Sequence, residues 1–450
     1  MLAPDRRGWR AGGRWSLARS TFTLALAPAF ALMGPALCGC SSAATPPQID
    51  IGKGGDAAAE TGADADTAPP IGQDAGDDGG PDSGSPGSPD VSAVAIAVGG
   101  HHACALTGAG GVVCWGDNRY GQLGDGTQAQ RVTPVAVGGL TRPVRAIAAG
   151  DWHTCALDAT GTVLCWGSNT AGALGDGSAA AQRAVPGPVA GVAGVVALAA
   201  SGSVTCVATA GGSTACWGAN GSGQLGDGTM TDRGQPAPTS GVLGGAAPAG
   251  NVLGPGGDHT CIVAAAGSVV CAGDDTNGAL GNGGNESTQS YVSSGVTSDA
   301  IAVASGVALS CALLDDGTVQ CWGFGGAGGL GDGALDPSNM PVPVTGLAGV
   351  TGLAVGLHHA CAVTAAGASC WGDNSGGSLG DGTMMQQATP VAVLGLPGAV
   401  AAVAAVATGG GSCALTVAGA VYCWGENPYG EVGDGTTLPR GTAVPVVGLP

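Results

Sequence analysis

The chain has 450 residues, of which 89 are Gly, and its 13 Lys and Arg face 32 Asp and Glu for a net charge of −19. Glycine costs about 1 kcal/mol per helix position relative to Ala, so this composition disfavours a helical protein and favours short strands separated by turns. Binding to nucleic acid depends on Lys and Arg that displace counterions from phosphates, so we expect no nucleic-acid partner for so acidic a chain.

The first 39 residues have the organisation of a bacterial export signal. Five Arg precede residue 20, and residues 21–37 form an uncharged apolar run that is too short and too interrupted by Pro for a comfortable membrane span. The sequence LCGC at 37–40 then resembles a lipobox, in which the last Cys is lipidated and becomes the mature N-terminus. We therefore predict residues 1–39 as a lipoprotein-type signal sequence and Cys40 as the lipidation site, with an ordinary cleaved signal as the alternative.

Residues 40–92 are rich in Ala, Gly, Asp, Pro and Ser and nearly free of large apolar side chains. Such a segment cannot bury enough apolar surface to offset the entropy of ordering, so we predict a disordered tether. As a Gly-rich coil, it would reach about 40 Å on average. Together with the signal, it predicts a lipoprotein of the bacterial outer membrane or cell surface that contacts the membrane through its lipid anchor only; the alternative is a secreted protein.

Residues 93–450 consist of seven copies of one unit. Each copy contains a first Cys, then Cys-Trp-Gly, then Leu-Gly-Asp-Gly or a close variant, and the fourth copy has Cys-Ala-Gly at 271–273. A period of about 50 residues with alternating apolar positions has the length of four short strands, which is one propeller blade. The repeat therefore predicts an all-β fold, a seven-bladed β-propeller.

The order G-x-x-H-x-C-A-L, G-x-V-x-C-W-G, G-x-L-G-D-G-T and P-V resembles the regulator of chromosome condensation repeat over essentially all of residues 93–450. This resemblance also implies a seven-bladed propeller. The motif His is replaced in three copies, by Val204, Leu309 and Gly411. Because the remaining four lie in different copies, we interpret them as structural residues and not as a metal or catalytic site. They are His102, His153, His259 and His359.

Fourteen Cys lie in the repeats, two per copy. In the second copy, a three-residue loop ending at Gly161 places Cys155 opposite Cys165 on an antiparallel hairpin, where Cα atoms lie about 4.5 Å apart, within disulfide range. Zinc would need two pairs to meet, which a propeller prevents, and export favours oxidation. The predicted disulfide bonds are Cys104–Cys114, Cys155–Cys165, Cys206–Cys216, Cys261–Cys271, Cys311–Cys321, Cys361–Cys370 and Cys413–Cys423.

The Asp of Leu-Gly-Asp-Gly recurs in six copies and has two interpretations, a calcium ligand or a turn residue. Its spacing does not bring several oxygen ligands to one ion, so we favour an Asp that accepts hydrogen bonds from nearby backbone N–H groups. Residues 323–328 and 376–380 match a dinucleotide motif and a nucleophile motif, but both fall inside the repeat turn and precede no predicted helix. We predict no catalytic residue, no metal and no cofactor.

The segment after Leu-Gly-Asp-Gly is the least regular part of each copy, and equivalent loops of a propeller emerge on one side. It is rich in residue types that are frequent at interface cores. As the alternative, the Arg pair with an Asp of their own copy and the Met pack against the next blade. The predicted partner-binding residues are Arg131, Arg183, Met230, Arg233, Tyr291, Met340, Met384, Met385 and Arg440.

The last copy ends at 444–450 with no apolar strand after it, whereas every earlier copy continues into one. An unused apolar strand is present at 94–98. We therefore predict that the ring closes by exchange of termini, which removes open sheet edges.

These features predict a non-enzymatic, surface-exposed scaffold that binds a protein or polysaccharide partner through propeller loops. An alternative follows from the resemblance to the β-lactamase inhibitory protein of this repeat family: a secreted or anchored inhibitor of an extracellular enzyme. A guanine-nucleotide-exchange-type regulator or a propeller enzyme is less favoured. The export signal and paired Cys argue against an intracellular role, and residues 93–450 contain no Lys and few His.

Overall fold

The computed structural model describes residues 92–239, 252–406 and 409–449, which form a seven-bladed β-propeller. Each blade is an antiparallel sheet of four strands that are consecutive in the sequence. The signal sequence, Cys40 and nearly all of the tether lie outside the described residues and stay predictions. Within the described ranges, no helix has the length and hydropathy needed to cross a membrane.

The first strand of each blade lies nearest the ring axis. The first strands are β1 (Ala93–Val98), β5 (Val144–Ala149), β9 (Val195–Ser201), β13 (Leu253–Pro255), β17 (Ala300–Ser305), β21 (Gly352–Val355) and β25 (Val400–Ala405). The second strands are β2 (His102–Thr107), β6 (His153–Asp158), β10 (Val204–Thr209), β14 (His259–Val263), β18 (Leu309–Leu314), β22 (His359–Thr364) and β26 (Gly411–Thr416).

The third and fourth strands complete each blade toward the outside of the ring. The third strands are β3 (Val112–Gly116), β7 (Val163–Ser168), β11 (Thr214–Gly218), β15 (Val269–Gly273), β19 (Val319–Gly323), β23 (Gly367–Gly372) and β27 (Val421–Gly425). The fourth strands are β4 (Arg131–Ala136), β8 (Gln182–Pro188), β12 (Arg233–Pro238), β16 (Thr288–Ser293), β20 (Ser338–Pro343), β24 (Gln387–Ala392) and β28 (Arg440–Pro445). Short 3-10 turns occur at Thr170–Gly172 and Ala265–Gly267.

The hydrophobic core lies between the blades. In six blades, the Trp of the third strand is buried and donates its indole N–H to a backbone carbonyl of the preceding blade, as Trp166 does to Gln122 at 2.9 Å. The indole ring of Trp166 packs on Gly124, where an added Cβ would lie 2.6 Å from Trp166 Nε1. The first Gly of Leu-Gly-Asp-Gly is therefore needed for the contact between blades. The six residues are Trp115, Trp166, Trp217, Trp322, Trp371 and Trp424.

The seven predicted disulfide pairs are the seven disulfide bonds of the structure. Cys155 lies opposite Cys165 in the β6–β7 register, and their Cα atoms are 4.1 Å apart. Gly161 has a φ of 86°, as the predicted three-residue loop requires. The sixth blade has a two-residue loop, since Thr364 pairs directly with Gly367, and its Cys pair is correspondingly one residue closer in the chain.

The fourth blade has Ala272 where the other blades have Trp, and Tyr291 of β16 fills the vacated space. Tyr291 packs against a core cluster of blades three and four, and its ring lies on Gly226, the counterpart of Gly124. Burial raises the pKa of its hydroxyl, which has no hydrogen-bond partner. The structure therefore places the predicted partner-binding residue Tyr291 against the preceding blade, and a local sequence does not reveal a cavity left by a residue 19 positions earlier.

We expect Tyr291→Ala to lower the free energy of unfolding by about 3–5 kcal/mol, because it empties the space that a Trp fills in the other blades. Tyr291→Phe is the matched control, and it should leave stability unchanged or raise it, because the lost hydroxyl has no partner. Denaturant titration of the oxidised protein measures both. A Tyr291→Ala variant with an unchanged free energy of unfolding would show that the tyrosine ring does not fill this space.

The four motif His bridge neighbouring blades, as the structural interpretation expects. Each buried ring places Nε2 within hydrogen-bond distance of a hydroxyl in the next blade, and His102 lies 2.8 Å from Thr154 Oγ1. Because burial disfavours the charged form, it lowers the pKa of His102 to about 3 and the pKa of the other three to about 4. The other pairs are His153–Thr205 (2.8 Å), His259–Ser310 (2.6 Å) and His359–Ser412 (2.9 Å).

The three junctions without His differ in the residue that faces the replacement. At the junctions after Leu309 and after Gly411, the position that supplies the hydroxyl in the next blade holds Ala360 and Ala103, respectively. Neither side of these two junctions therefore carries a hydroxyl. At the junction after Val204, the next blade has Thr260 at this position, and its buried hydroxyl has no hydrogen-bond partner. The loss of His is therefore matched by loss of the hydroxyl at two of the three junctions.

The ring closes without exchange of termini, so that prediction was wrong. β1 pairs with β2 in the first blade, and the last sheet contains only β25 to β28. The apolar strand after each P-V element is the innermost strand of the next blade, and the turn between them separates two sheets. The ends meet by side-by-side packing: Ala93 N donates to Gly419 O at 2.9 Å, and Trp115 Nε1 donates to Glu431 O at 2.7 Å.

Candidate functional site

The loops between the first and second strands emerge at the same end of each blade as the loops between the third and fourth strands. The latter contain the Leu-Gly-Asp-Gly elements, and we call this side of the ring the LGDG face. The hairpin turns between second and third strands lie at the opposite end, beside the connections to the next blade, since Val144 N bonds to Gly110 O.

The recurrent Asp stabilises its own turn, as expected. Asp125 Oδ1 accepts hydrogen bonds from Thr127 N at 2.9 Å and from Asn118 Nδ2 at 3.1 Å, and Oδ2 lies 2.8 Å from Arg131 Nη2. Burial alone would raise the pKa of Asp125, but the bonds from Thr127 and Arg131 outweigh it and hold this pKa below its ordinary value.

The predicted Arg are therefore engaged within their own blades. Arg183 pairs with Asp176, Arg233 with Asp227 and Arg440 with Asp434, in the manner of Arg131. This arrangement matches the alternative left open by the sequence, a repeat residue paired with the Asp of its turn. The four guanidinium groups are partly exposed but already hold a carboxylate.

The predicted Met lie on the surface, dispersed around the ring. Met230, Met340, Met384 and Met385 are 54%, 47%, 53% and 71% exposed. They belong to blades three, five and six, and only Met384 and Met385 are neighbours in sequence. The structure brings the predicted set together at no single point.

A cluster that the sequence did not predict lies on the LGDG face where blades seven, one and two meet. The His101 ring centre is 5.0 Å from those of Trp152 and Tyr429, and Tyr120 lies 5.6 Å from Trp152. The Arg119 guanidinium lies 5.3 Å from the Trp152 ring centre and 4.7 Å from that of Tyr429. We call these five residues the aromatic cluster.

Two buried acids contact Arg119 and His101 of the aromatic cluster. Arg119 Nε lies 2.7 Å from Asp117 Oδ2, and a hydrogen bond with Tyr429 raises the pKa of Arg119. His101 Nδ1 lies 3.4 Å from Glu431 Oε1. Arg119 is nevertheless 44% exposed, whereas Asp117 is 5% exposed. The cluster thus presents a guanidinium held in place by a carboxylate and two aromatic rings.

At the repeat position of His101 and Trp152, four of the other five blades hold a small or acidic residue, and blade six holds His358. The residue before the motif His position is His101 or Trp152 in the first two blades, but Ser203, Asp258 and Ala308 in the next three. Comparing the copies position by position would have shown large residues at surface columns of consecutive blades. A smaller pair, Phe324 and His358, lies 4.6 Å apart between blades five and six.

The first strands of the seven blades surround a small central cavity. This cavity of about 210 Å³ is lined by first-strand residues, mostly Ala and Val, and by Gly99 and Asp151, which lie close to the aromatic cluster. Among the described residues, no group of three or more His, Cys, Asp or Glu is placed to hold a metal ion.

Family models support the repeat assignment. One model of the regulator of chromosome condensation (RCC1) repeat matches residues 109–157, and a second matches residues 93–122 and 144–173. These matches cover parts of the first two blades.

Curated relatives share the repeats. The probable E3 ubiquitin-protein ligase HERC4 of Homo sapiens is 31% identical over 206 residues, 45% of this chain and 19% of that protein. RCC1 domain-containing protein 1 of Homo sapiens is 40% identical over 80 residues, 18% of this chain and 21% of that protein. The chain spans about a fifth of the length of these two relatives.

Solved structures share the fold. Prp20p of Saccharomyces cerevisiae has a TM-score of 0.65 at 22% identity, covering 76% of this chain and 87% of that one. Yeast RCC1 bound to Kap60 has a TM-score of 0.64 at 22% identity, covering 74% and 83%. Human WBSCR16 has a TM-score of 0.66 at 21% identity, covering 75% and 94%.

Proposed function

Because the chain belongs to the regulator of chromosome condensation repeat family, we propose that it is a non-enzymatic scaffold that binds a protein partner through its LGDG face. The observation that carries the proposal is the aromatic cluster. Trp, Tyr and Arg are the residue types most enriched among interface hot spots, and here they gather at one exposed point of a rigid ring.

Structures of the same fold support this choice of partner class. Yeast RCC1 is seen bound to Kap60, and the Prp20p structure is described together with binding to Gsp1p and histones. Both structures are of the same yeast protein, Prp20, which at 22% identity shares the fold, and its individual partners are not proposed for this chain. What the structures support is the use of such a ring as a surface for another protein.

A protein partner is favoured over a polysaccharide by the packing of the rings. Sugars bind well on a free aromatic face, but the Arg119 guanidinium lies over Trp152 and also beside Tyr429. His101 and Tyr120 pack around Trp152 as well. The exposed element of the aromatic cluster is therefore a cation framed by rings, which suits polar and apolar groups of a protein surface.

We also propose that the scaffold acts outside the cytoplasm, tethered through Cys40. Seven disulfide bonds support an oxidising compartment, where such bonds form and persist. The predicted signal sequence, lipobox and tether point the same way.

The proposal is tested with the double variant Arg119→Ala/Trp152→Ala. Cross-linking on intact producing cells identifies candidate partners, and the affinity of each purified pair is then measured. Loss of two hot-spot residues should weaken a true partner at least about 30-fold, the effect of about 2 kcal/mol.

Arg142→Ala is the matched control, because Arg142 is 58% exposed but lies at the opposite end of the blades, beside Asp158. It should leave the affinity unchanged. A partner that binds the double variant and the wild type equally well would show that another surface is used, and the proposal would fail.

A further inference from the structure

We propose that the aromatic cluster is an anchoring site for a carboxylate of the protein partner, and that Arg119 is the residue that binds it. This inference rests on the proposed function and adds the chemical group that the scaffold recognises. It draws on the geometry of Arg119, on the state of the other arginines and on the charge around the ring.

Arg119 is held ready for a ligand. Asp117 contacts Nε at 2.7 Å from the buried side, and Trp152 and Tyr429 flank the guanidinium. A guanidinium has five N–H donors, and one contact at Nε together with a hydrogen bond to Tyr429 leaves donors at the exposed end. Because the side chain is already ordered, binding loses little rotamer entropy. A planar fork of N–H donors matches a carboxylate, which accepts two parallel hydrogen bonds.

The other arginines in the described part of the chain are arranged differently. Three of the six, Arg131, Arg233 and Arg440, engage both Nε and the terminal Nη2 within their own turn, and Arg183 Nη2 pairs with Asp176, whereas Arg119 contacts its Asp through Nε. Arg145 bonds to the carbonyl of Val195, and Arg142 lies on the face opposite the LGDG face. Arg119 is therefore the arginine on the LGDG face that combines exposure with an aromatic frame.

The surrounding charge confines an acidic group to the aromatic cluster. Residues 93–450 carry 21 acids against seven Arg, so most of the ring repels a carboxylate. In blade four, the charge of Asp274 adds to burial in raising the pKa of Asp258, which marks a negative region on the same face. At the aromatic cluster, the carboxylates of Asp117 and Glu431 are buried and the Arg119 guanidinium is the more exposed charged group, whereas blade four presents Asp258 and Asp274. One contact thus fixes both the position and the orientation of the partner.

The test uses synthetic random nonapeptide libraries, one with amidated and one with free C-termini, sorted for binding to the oxidised full chain and against Arg119→Ala. We expect the enriched peptides to carry Asp or Glu. Replacing that residue by Asn or Gln should weaken binding at least tenfold. Arg119→Lys should also weaken it at least fivefold, because an ammonium keeps the charge but lacks the planar fork. Enrichment confined to free C-termini would identify the terminal carboxylate as the source.

The failures of the two proposals are distinguishable. Enriched peptides that require Trp152 but contain no carboxylate would overturn the carboxylate anchor and leave the aromatic cluster as the binding surface. Peptides that bind wild type and Arg119→Ala/Trp152→Ala equally, or a library without any binder that needs the cluster, would overturn both. Arg142→Ala should bind the same peptides as the wild type.

Discussion

Without its disulfide bonds, the propeller is expected not to regain its fold after denaturation. Each bond closes a loop of about ten residues, which stabilises by about 2–3 kcal/mol in the chain-entropy model, or about 14–21 kcal/mol for all seven. A typical domain has about 5–15 kcal/mol of net stability, so the reduced chain should remain unfolded. Because all fourteen Cys are buried, the protein is reduced in denaturant and returned to buffer, and circular dichroism measures the recovered structure.

A single blade provides the control for this experiment. Cys361→Ala/Cys370→Ala removes one bond and should cost about 2–3 kcal/mol while the ring still folds. Full recovery of the native spectrum by the reduced wild type would show that the interfaces between blades suffice by themselves.

Mild acid is expected to destabilise the propeller through the four bridging His. Burial lowers their folded-state pKa to about 3–4, whereas an unfolded His titrates near about 6.5. The contribution of the neutral, buried His to the free energy of unfolding is complete above about pH 6.5. It is lost as the pH falls toward 4, because in this range only the unfolded chain binds protons at these His. With four such His, the free energy of unfolding should fall by up to about 5 kcal/mol for each pH unit in this range.

Ionisable neighbours of these His change their pKa values less than burial does. His101 and His153 lower the pKa of His102, while Asp274 raises that of His259 and Asp373 raises that of His359, in each case less than burial lowers it. The Asp of the turns have lowered pKa values, so their contribution is lost only at still lower pH.

Denaturant titrations between pH 7.5 and 4.5 measure the acid effect. His153→Gln keeps a polar side chain that does not titrate, so the slope of stability against pH should fall by about a quarter, whatever the stability of the variant itself. A wild-type stability that does not change between pH 6.5 and 4.5 would contradict the buried, neutral state of these His.

Local features of the sequence were enough for the fold, because they repeat. The Cys155–Cys165 pairing depends on a hairpin of eleven residues whose loop length and Gly161 are visible in the sequence. The number of blades follows in the same way from counting copies. Ring closure was predicted wrongly because the apolar strand 94–98 could belong to the first blade or complete the last one. Only the turn between blades decides between these two assignments.

The candidate site was missed because it is assembled from different blades. Trp152 and Tyr429 are 277 positions apart in the chain, and each looks like an ordinary loop residue of its own copy. The predicted Arg were assigned to partner binding, although the Asp that each of them pairs with lies six or seven residues earlier in the same turn. Physical proximity across blade boundaries is the information that a single copy does not contain.

The bridging His also restrict how this ring can gain or lose repeats. Each blade contributes one residue to the junction with the blade after it and one to the junction with the blade before it, and a bridging His needs a hydroxyl in the next blade. A tandem duplication of blade two would set His153 against a new copy of Thr154, a matched junction. Duplicating blade six would set His359 against Ala360 and leave a buried imidazole nitrogen without its hydroxyl. A rearrangement of the repeats that separates a bridging His from its hydroxyl would therefore lower the stability of the ring.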